Sequence, residues 1–174
     1  MIRSFQGITP QIAATAYIDD SAQIIGDVVI GEHSSVWPQA VIRGDDHYIR
    51  IGSHTNIQDN AVLHVESKLY PLVVGDRVGV GHNAILHGCR IESRCLIGMG
   101  AMILNNARIG TGSIVAAGAV VPENTVVPPG SLIMGLPGKV RRQLTNEDLE
   151  RIDRNVASYD RLKNQYLAER NGSS

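Results

Sequence analysis

Aliphatic residues recur every six positions along most of the chain. Ile18, Ile24, Ile30, Val36 and Ile42 open the series, and after a three-residue insertion it continues through Ile51, Ile57 and Leu63. A longer insertion precedes Val74, Val80 and Leu86, and a one-residue deletion leads into Ile91, Ile97, Ile103, Ile109, Val115, Val121, Val127 and Ile133. All nineteen positions are Ile, Val or Leu. Four residues after most of them stands a small residue: Ala22, Ser34, Ala40, Thr55, Ala61, Ala84, Cys95, Ala101, Ala107, Ser113, Ala119 and Thr125. Both positions are expected to point inward. A short strand, a turn and an inward aliphatic side chain every six residues describe a parallel β-helix, whose rungs each bury an apolar face on their neighbours. A β-sandwich would need irregular spacing. Glycine follows the aliphatic residue directly at Gly31, Gly52, Gly75, Gly81, Gly98 and Gly110, where it is expected to permit tight turns.

The period ends after Ile133, in Gly135-Leu136-Pro137-Gly138. Thr145-Asn146-Glu147-Asp148 then reads as a helix start with Thr145 as N-cap. Leu149, Ile152, Val156, Tyr159, Leu162 and Tyr166 recur at spacings of three and four and give one apolar stripe. The expected organisation is an all-β solenoid over residues 8–140 and an α-helix over 145–168. The helix should pack on the solenoid wall or on a neighbouring subunit, with its charged face in solvent.

Composition narrows the class. Hydrophobic residues make up 43% of 174 residues but aromatics only 4%, so the core must be aliphatic. A chain of this length is one domain's worth of protein. Formal charge −1 and a pI near 6.6 give no electrostatic footprint for nucleic acid or an anionic membrane. No apolar run approaches the ~18 residues of a membrane span, and Met1–Gly7 lacks a signal-peptide core. A cytoplasmic protein is expected, with Cys89 and Cys95 as buried free thiols. Asn171-Gly172-Ser173 matches a glycosylation sequon that has no weight without a secretory signal.

The hexads resemble the left-handed β-helix of the bacterial hexapeptide transferase superfamily. That resemblance implies the handedness and three hexads per triangular coil, hence six coils and a remainder. In this register His64 and His87, each directly after an inward leucine, fall on the same face of adjacent coils, stacked about 4.8 Å apart. Two such imidazoles can converge on one cation, since Zn–N bonds of about 2.0 Å place ligand nitrogens roughly 3.3 Å apart. His82 lies on another face, and the five residues to His87 span up to about 16 Å. It has to come from a second chain, and a closed ring of such interfaces is a C3 homotrimer with three shared sites. The same register puts Arg43 at the foot of the His64–His87 column and Asp59 beneath His82.

Arg43-Gly44-Asp45, Asn56-Ile57-Gln58-Asp59, His64 and Gly81-His82-Asn83-Ala84-Ile85-Leu86-His87-Gly88-Cys89 resemble the gamma-class carbonic anhydrases, over residues 8–140 or so. The resemblance implies zinc, or ferrous iron, held by two histidines of one subunit and one of the next, matching His64, His87 and His82. It implies inter-subunit ion pairs from Arg43, Asp45 and Asp59, with Arg43 also engaging bicarbonate. Gln58 would orient the metal-bound water and Asn56 would complete the polar pocket. The reaction implied is reversible hydration of CO2 to bicarbonate by metal-bound hydroxide.

One feature departs from the family's most active members, which carry a long acidic loop with a proton-shuttle glutamate. Here Glu66-Ser67-Lys68-Leu69-Tyr70-Pro71 is short, leaving Glu66, Asp46 and Tyr159 as candidate residues at the border of the site. Two other readings stay open on this fold: a CoA-thioester hydrolase or acyltransferase, and a catalytically weak metal-binding trimer. Three convergent histidines argue against the transferase, which uses one interfacial histidine as base. His33, His47 and His54 read as structural or exposed.

Overall fold

A computed structural model describes residues 1–172, so Ser173 of the sequon lies outside the described residues. The chain is a left-handed parallel β-solenoid of about seven coils, followed by one helix, Asn146–Gly172. Short parallel strands pair along three columns. The first runs Ile12, Ile30, Ile51, Val74, Ile91, Ile109 and Val127. The second runs Ile18, Val36, Ile57, Val80, Ile97, Val115 and Ile133. The third runs Ile24, Ile42, Leu63, Leu86, Ile103 and Val121. Three hexads per coil is therefore a property of the pairing itself. The series starts one rung earlier than its spacing suggested, at Ile12, which adds the seventh coil.

Of the nineteen aliphatic positions eighteen are buried, and only Ile18 is half-buried. The small residues four positions on are buried too, except the half-buried Thr125. The insertions stay outside this core. The strand Val41–Ile51 absorbs the first, and the second is a loop pinched shut by a bridge between Glu66 and Tyr70.

The glycines after the aliphatic residues do not serve the turns, as was expected of them. None of the six has a positive φ. A Cβ on Gly98 would lie 2.4 Å from the Ala117 nitrogen, and one on Gly31 would lie 2.7 Å from the Gly52 carbonyl carbon. Glycine is needed there because one coil's backbone lies directly on the next. The left-handed corner positions, three residues after the aliphatic one, are filled by side-chain-bearing residues such as His33, His54, Asn60, Arg77, Asn83, Arg94, Asn106 and Asn124, and by other glycines at Gly100, Gly112, Gly118 and Gly130. Asn is the residue that tolerates this conformation best after glycine.

Thr145 and Asp148 open the helix with a reciprocal box. The Asp148 N–H donates to the Thr145 hydroxyl at 3.3 Å, and the Thr145 N–H donates to the Asp148 carboxylate at 2.8 Å. The helix then lies along the chain's own second column. Ile152 and Val156 are buried, Ile152 in a small cluster with Leu96 and Ile114. Tyr159 and Tyr166 each meet Trp37 edge-on at 5.3 Å.

The charged side of the helix is not simply solvated. Asp153 accepts hydrogen bonds from Arg94 and Arg77, Asp160 engages His54, and Lys163 is only 3% exposed. Spacing explains the fit: seven helical residues rise about 10.5 Å, close to two coil steps of about 4.8 Å. Cys89 and Cys95 are free and buried. Burial pushes the Cys95 thiol up to about 11, so neither is poised as a thiolate. Among the described residues no helix is long and apolar enough to cross a membrane.

Candidate metal centre

His64 ends the strand Val62–His64 and His87 ends Ile85–His87, and the two strands pair residue for residue. The ring centroids are 5.1 Å apart, and Nδ1 of His64 lies 3.1 Å from Nε2 of His87. The other nitrogen of each ring is engaged. His64 Nε2 lies 3.0 Å from the Asp45 carboxylate, and His87 Nδ1 lies 2.7 Å from Oδ1 of Asn105. Asn105 can only accept at that atom, because its amide nitrogen donates to Glu66 at 3.0 Å and to Glu123 at 3.3 Å.

In the neutral tautomers that these partners favour, the outer nitrogens carry the ring protons, and Nδ1 of His64 and Nε2 of His87 present lone pairs toward one another, a geometry suited to sharing a cation. Their separation is close to that of two nitrogens on a tetrahedral zinc. Asp45 serves this well. Burial would raise its pKa, but hydrogen bonds from Arg43 and His64 outweigh burial and hold it below the usual carboxylate range.

His82 is prepared in the same manner on a different corner. Its Nδ1 lies 2.8 Å from the Asp59 carboxylate, so Nε2 is the presented atom, with the Tyr159 hydroxyl 3.4 Å away. Burial and then the nearby Asp59 charge raise the Tyr159 pKa, keeping the phenol protonated. Carboxylate or carbonyl partners of this kind are what fix the tautomer and orientation of metal-ligating histidines. Among the described residues of one chain, no three His, Cys, Asp or Glu groups converge on a metal position. The donor set, neutral imidazole nitrogens on two corners, fits zinc or ferrous iron if a second chain brings its His82 to the first chain's pair.

Beside His82 runs a relay of amides. Gln58, 4% exposed, donates from Nε2 to Asn56 Oδ1 at 2.9 Å. Asn56, 2% exposed, donates to Asn155 Oδ1 of the helix at 3.2 Å. This fixes the Gln58 amide with Oε1 turned toward the cleft in front of His82.

The structure gathers the sequence-predicted residues at two corners. Arg43, Asp45, His64 and His87 share one, and Asn56, Gln58, Asp59, His82 and Tyr159 the other. Within one chain Arg43 pairs with Asp45, while Asp45 meets His64 and Asp59 meets His82. The Glu66 carboxylate accepts a hydrogen bond from Asn105, which places it one residue from His87 in the hydrogen-bond chain. Asp46 is exposed. Sequence reasoning missed Asn105 and Asn155. Asn105 sits in the coil after His87, so the register could have found it, whereas Asn155 depends on where the helix lies.

Comparison with known proteins bears on this geometry. The family model for the bacterial transferase hexapeptide (six repeats) matches residues 9–44 and 88–123. A carbonic anhydrase of Geobacillus kaustophilus is 53% identical over 154 residues, covering 88% of this chain and 84% of the relative. Gamma carbonic anhydrase 1, mitochondrial, of Arabidopsis thaliana is 41% identical over 92% of this chain and 60% of the relative. The solved hexapeptide transferase family protein of Anaplasma phagocytophilum superposes with a TM-score of 0.91 at 36% identity, covering 95% of this chain and 97% of that one. At this level of identity and coverage, the chain belongs to the gamma-class carbonic anhydrase family of hexapeptide-repeat proteins.

Proposed function

We propose that the chain is a metal-dependent carbonic anhydrase working as a homotrimer, with zinc or ferrous iron shared between His64 and His87 of one subunit and His82 of the next. The observation that carries this reading is the facing pair of imidazole nitrogens 3.1 Å apart, the far nitrogen of each ring engaged by Asp45 or Asn105. A single general-base histidine, as a transferase would use, needs no such pair.

A further feature supports the trimer. Val41, Val62, Ile85, Met102 and Val120 form an outward apolar stripe in register along the third column, beside His64 and His87. Val62 is 38% and Met102 39% exposed in one chain. A second copy covering this stripe would be the one that brings its His82 to the pair.

When bound, zinc supplies a Lewis acid that makes hydroxide available near neutral pH for attack on CO2. The residues of the chain do the rest. Gln58 Oε1 accepts a hydrogen bond and so turns the attacking oxygen toward CO2, its own orientation set by Asn56 and Asn155. Arg43 supplies positive charge for bicarbonate, and the Tyr159 hydroxyl closes the His82 side of the pocket. Glu66, whose carboxylate accepts from Asn105, is the candidate to pass the released proton to buffer, and turnover should rise with buffer concentration.

Stopped-flow CO2 hydration with metal content quantified tests the proposal, on the wild-type protein and on His87→Ala. The expected result is hydration above the buffer rate that scales with metal, and loss of both metal and activity in the variant. Full metal occupancy without hydration would overturn it.

A further inference from the structure

The cleft that opens at Gln58 and His82 does not end there. It continues between the solenoid wall and the C-terminal helix as a cavity of about 710 Å³. CO2 and bicarbonate, of three and four heavy atoms, need only a few times the ~30 Å³ that one water occupies. The cavity is in the range that takes organic ligands, about 300–1,000 Å³.

Its chemistry is ordered along its length. At the inner end Gln58, 96% buried by its 4% exposure, turns into the cleft a carbonyl oxygen with no hydrogen-bond partner among the described residues. The middle is apolar, walled by Leu96, Ile114 and Leu132. The outer end is rimmed by Arg142, Arg151 and Arg154 against one carboxylate, Asp148. Arg142 is spent on Asp148 and Arg154 meets Glu150, but Arg151 has no partner among the described residues. The rungs from Ile57, beside Gln58, to Ile133 along this wall, in four steps of about 4.8 Å, make the wall roughly 19 Å long, and Arg151, one helical turn before Asn155, lies partway along it.

A gap left by imperfect helix packing would have no such polarity. We infer that this cleft binds an elongated organic anion: a hydrogen-bond donor at one end for Gln58, a straight apolar middle, and a carboxylate or phosphate at the other end for Arg151. Gln58 Oε1 is the same acceptor that the proposed hydration step uses, so probe and attacking oxygen would compete for it. The inference goes beyond CO2 hydration and does not depend on it, since binding is measured directly.

Isothermal titration calorimetry of the metal-loaded protein tests it, with straight-chain ω-hydroxycarboxylates of about six to sixteen carbons as probes, a range that brackets the wall's length. Affinity is expected to peak at one chain length within this series and to fall on either side of it. The alkanoate of that length, lacking the hydroxyl, and the diol, lacking the carboxylate, should each bind about tenfold more weakly. Arg151→Glu should weaken the best probe by about tenfold or more. Ser158→Trp, which fills the cleft from the exposed side of the helix, should do the same, with circular dichroism confirming that both variants fold. Three results would overturn the inference: no binding by any probe, affinity that ignores chain length, or affinity unchanged in Arg151→Glu. The last would mean the carboxylate sits on the metal. A change of oligomeric state in Ser158→Trp with probe affinity retained would mean that a second copy, not a small anion, occupies the cleft, and would overturn it too.

Discussion

The corner that carries His64 and His87 and the corner that carries His54, Arg77 and Arg94 are built alike. Each stacks basic side chains from successive coils, one rung above another. At the second corner the helix answers the stack: Asp160 meets His54 at 2.9 Å, and Asp153 takes both Arg94 and Arg77. There the basic side chains fasten one element to another. At the first corner the partners, Asp45 and Asn105, come from the solenoid itself and bind only the outer nitrogens. The inner nitrogens stay free to bind. A ladder of basic residues therefore becomes a clamp or a ligand site according to which side its neutralising groups approach from.

Removing the partner behind a ligand should separate the two corners most sharply. In Asn105→Ala, His87 loses the acceptor that fixes its tautomer, and metal affinity should fall by about 10–100-fold, read by competition with a chelator, while thermal stability without metal stays close to wild type. An unchanged affinity would show that Asn105 plays no part in presenting His87.

Asn155→Ala tests a contact that joins the helix to the site. It breaks the relay at its far end, leaving the buried Asn56 amide without its acceptor. Metal content should be unchanged and CO2 hydration should drop by about tenfold, since Gln58 can then turn over. A loss of metal in this variant would mean the relay supports the ligands rather than the attacking group.

The smallest effect belongs to the clamp. Asp153→Asn should cost about 0.5–1 kcal/mol after solvent screening and leave metal binding intact. Hydrogen bonding from Arg94 foremost, then from Arg77 against the opposing effect of burial, holds the Asp153 pKa below its ordinary value. The contribution is therefore present above about pH 3.9, the unfolded value, and is lost as pH falls through the lower folded value. Melting temperatures of wild type and Asp153→Asn should converge as the pH is taken down through that range. A gap that persists in acid would place the stabilisation elsewhere.

Much of this was legible in the residues, and its limits follow one rule. A strict period fixes what stacks on what once the resemblance supplies three hexads per coil, so the column of His64 on His87 and of His82 on Asp59 could be read from the register. Period says nothing about which atom of a ring is occupied. The partners Asn105 and Asn155 therefore stayed hidden, the second because the helix obeys a different repeat and its placement depends on packing. The glycines were misjudged for a similar reason. Their role is set by the coil above them, not by their neighbours in sequence.

The central claim is that two histidines of one chain and one of another hold a single metal. Mixing chains tests it most directly. His82→Ala and His87→Ala homotrimers should each lack metal and activity, because every site misses a ligand. After unfolding and refolding the two together, interfaces that join an intact His64–His87 pair to an intact His82 should reappear at about one in four, half times half. Metal content and hydration should recover to about that fraction of wild type. If mixed trimers, verified by native mass spectrometry, regain neither, the ligands do not come from two chains and the account is wrong.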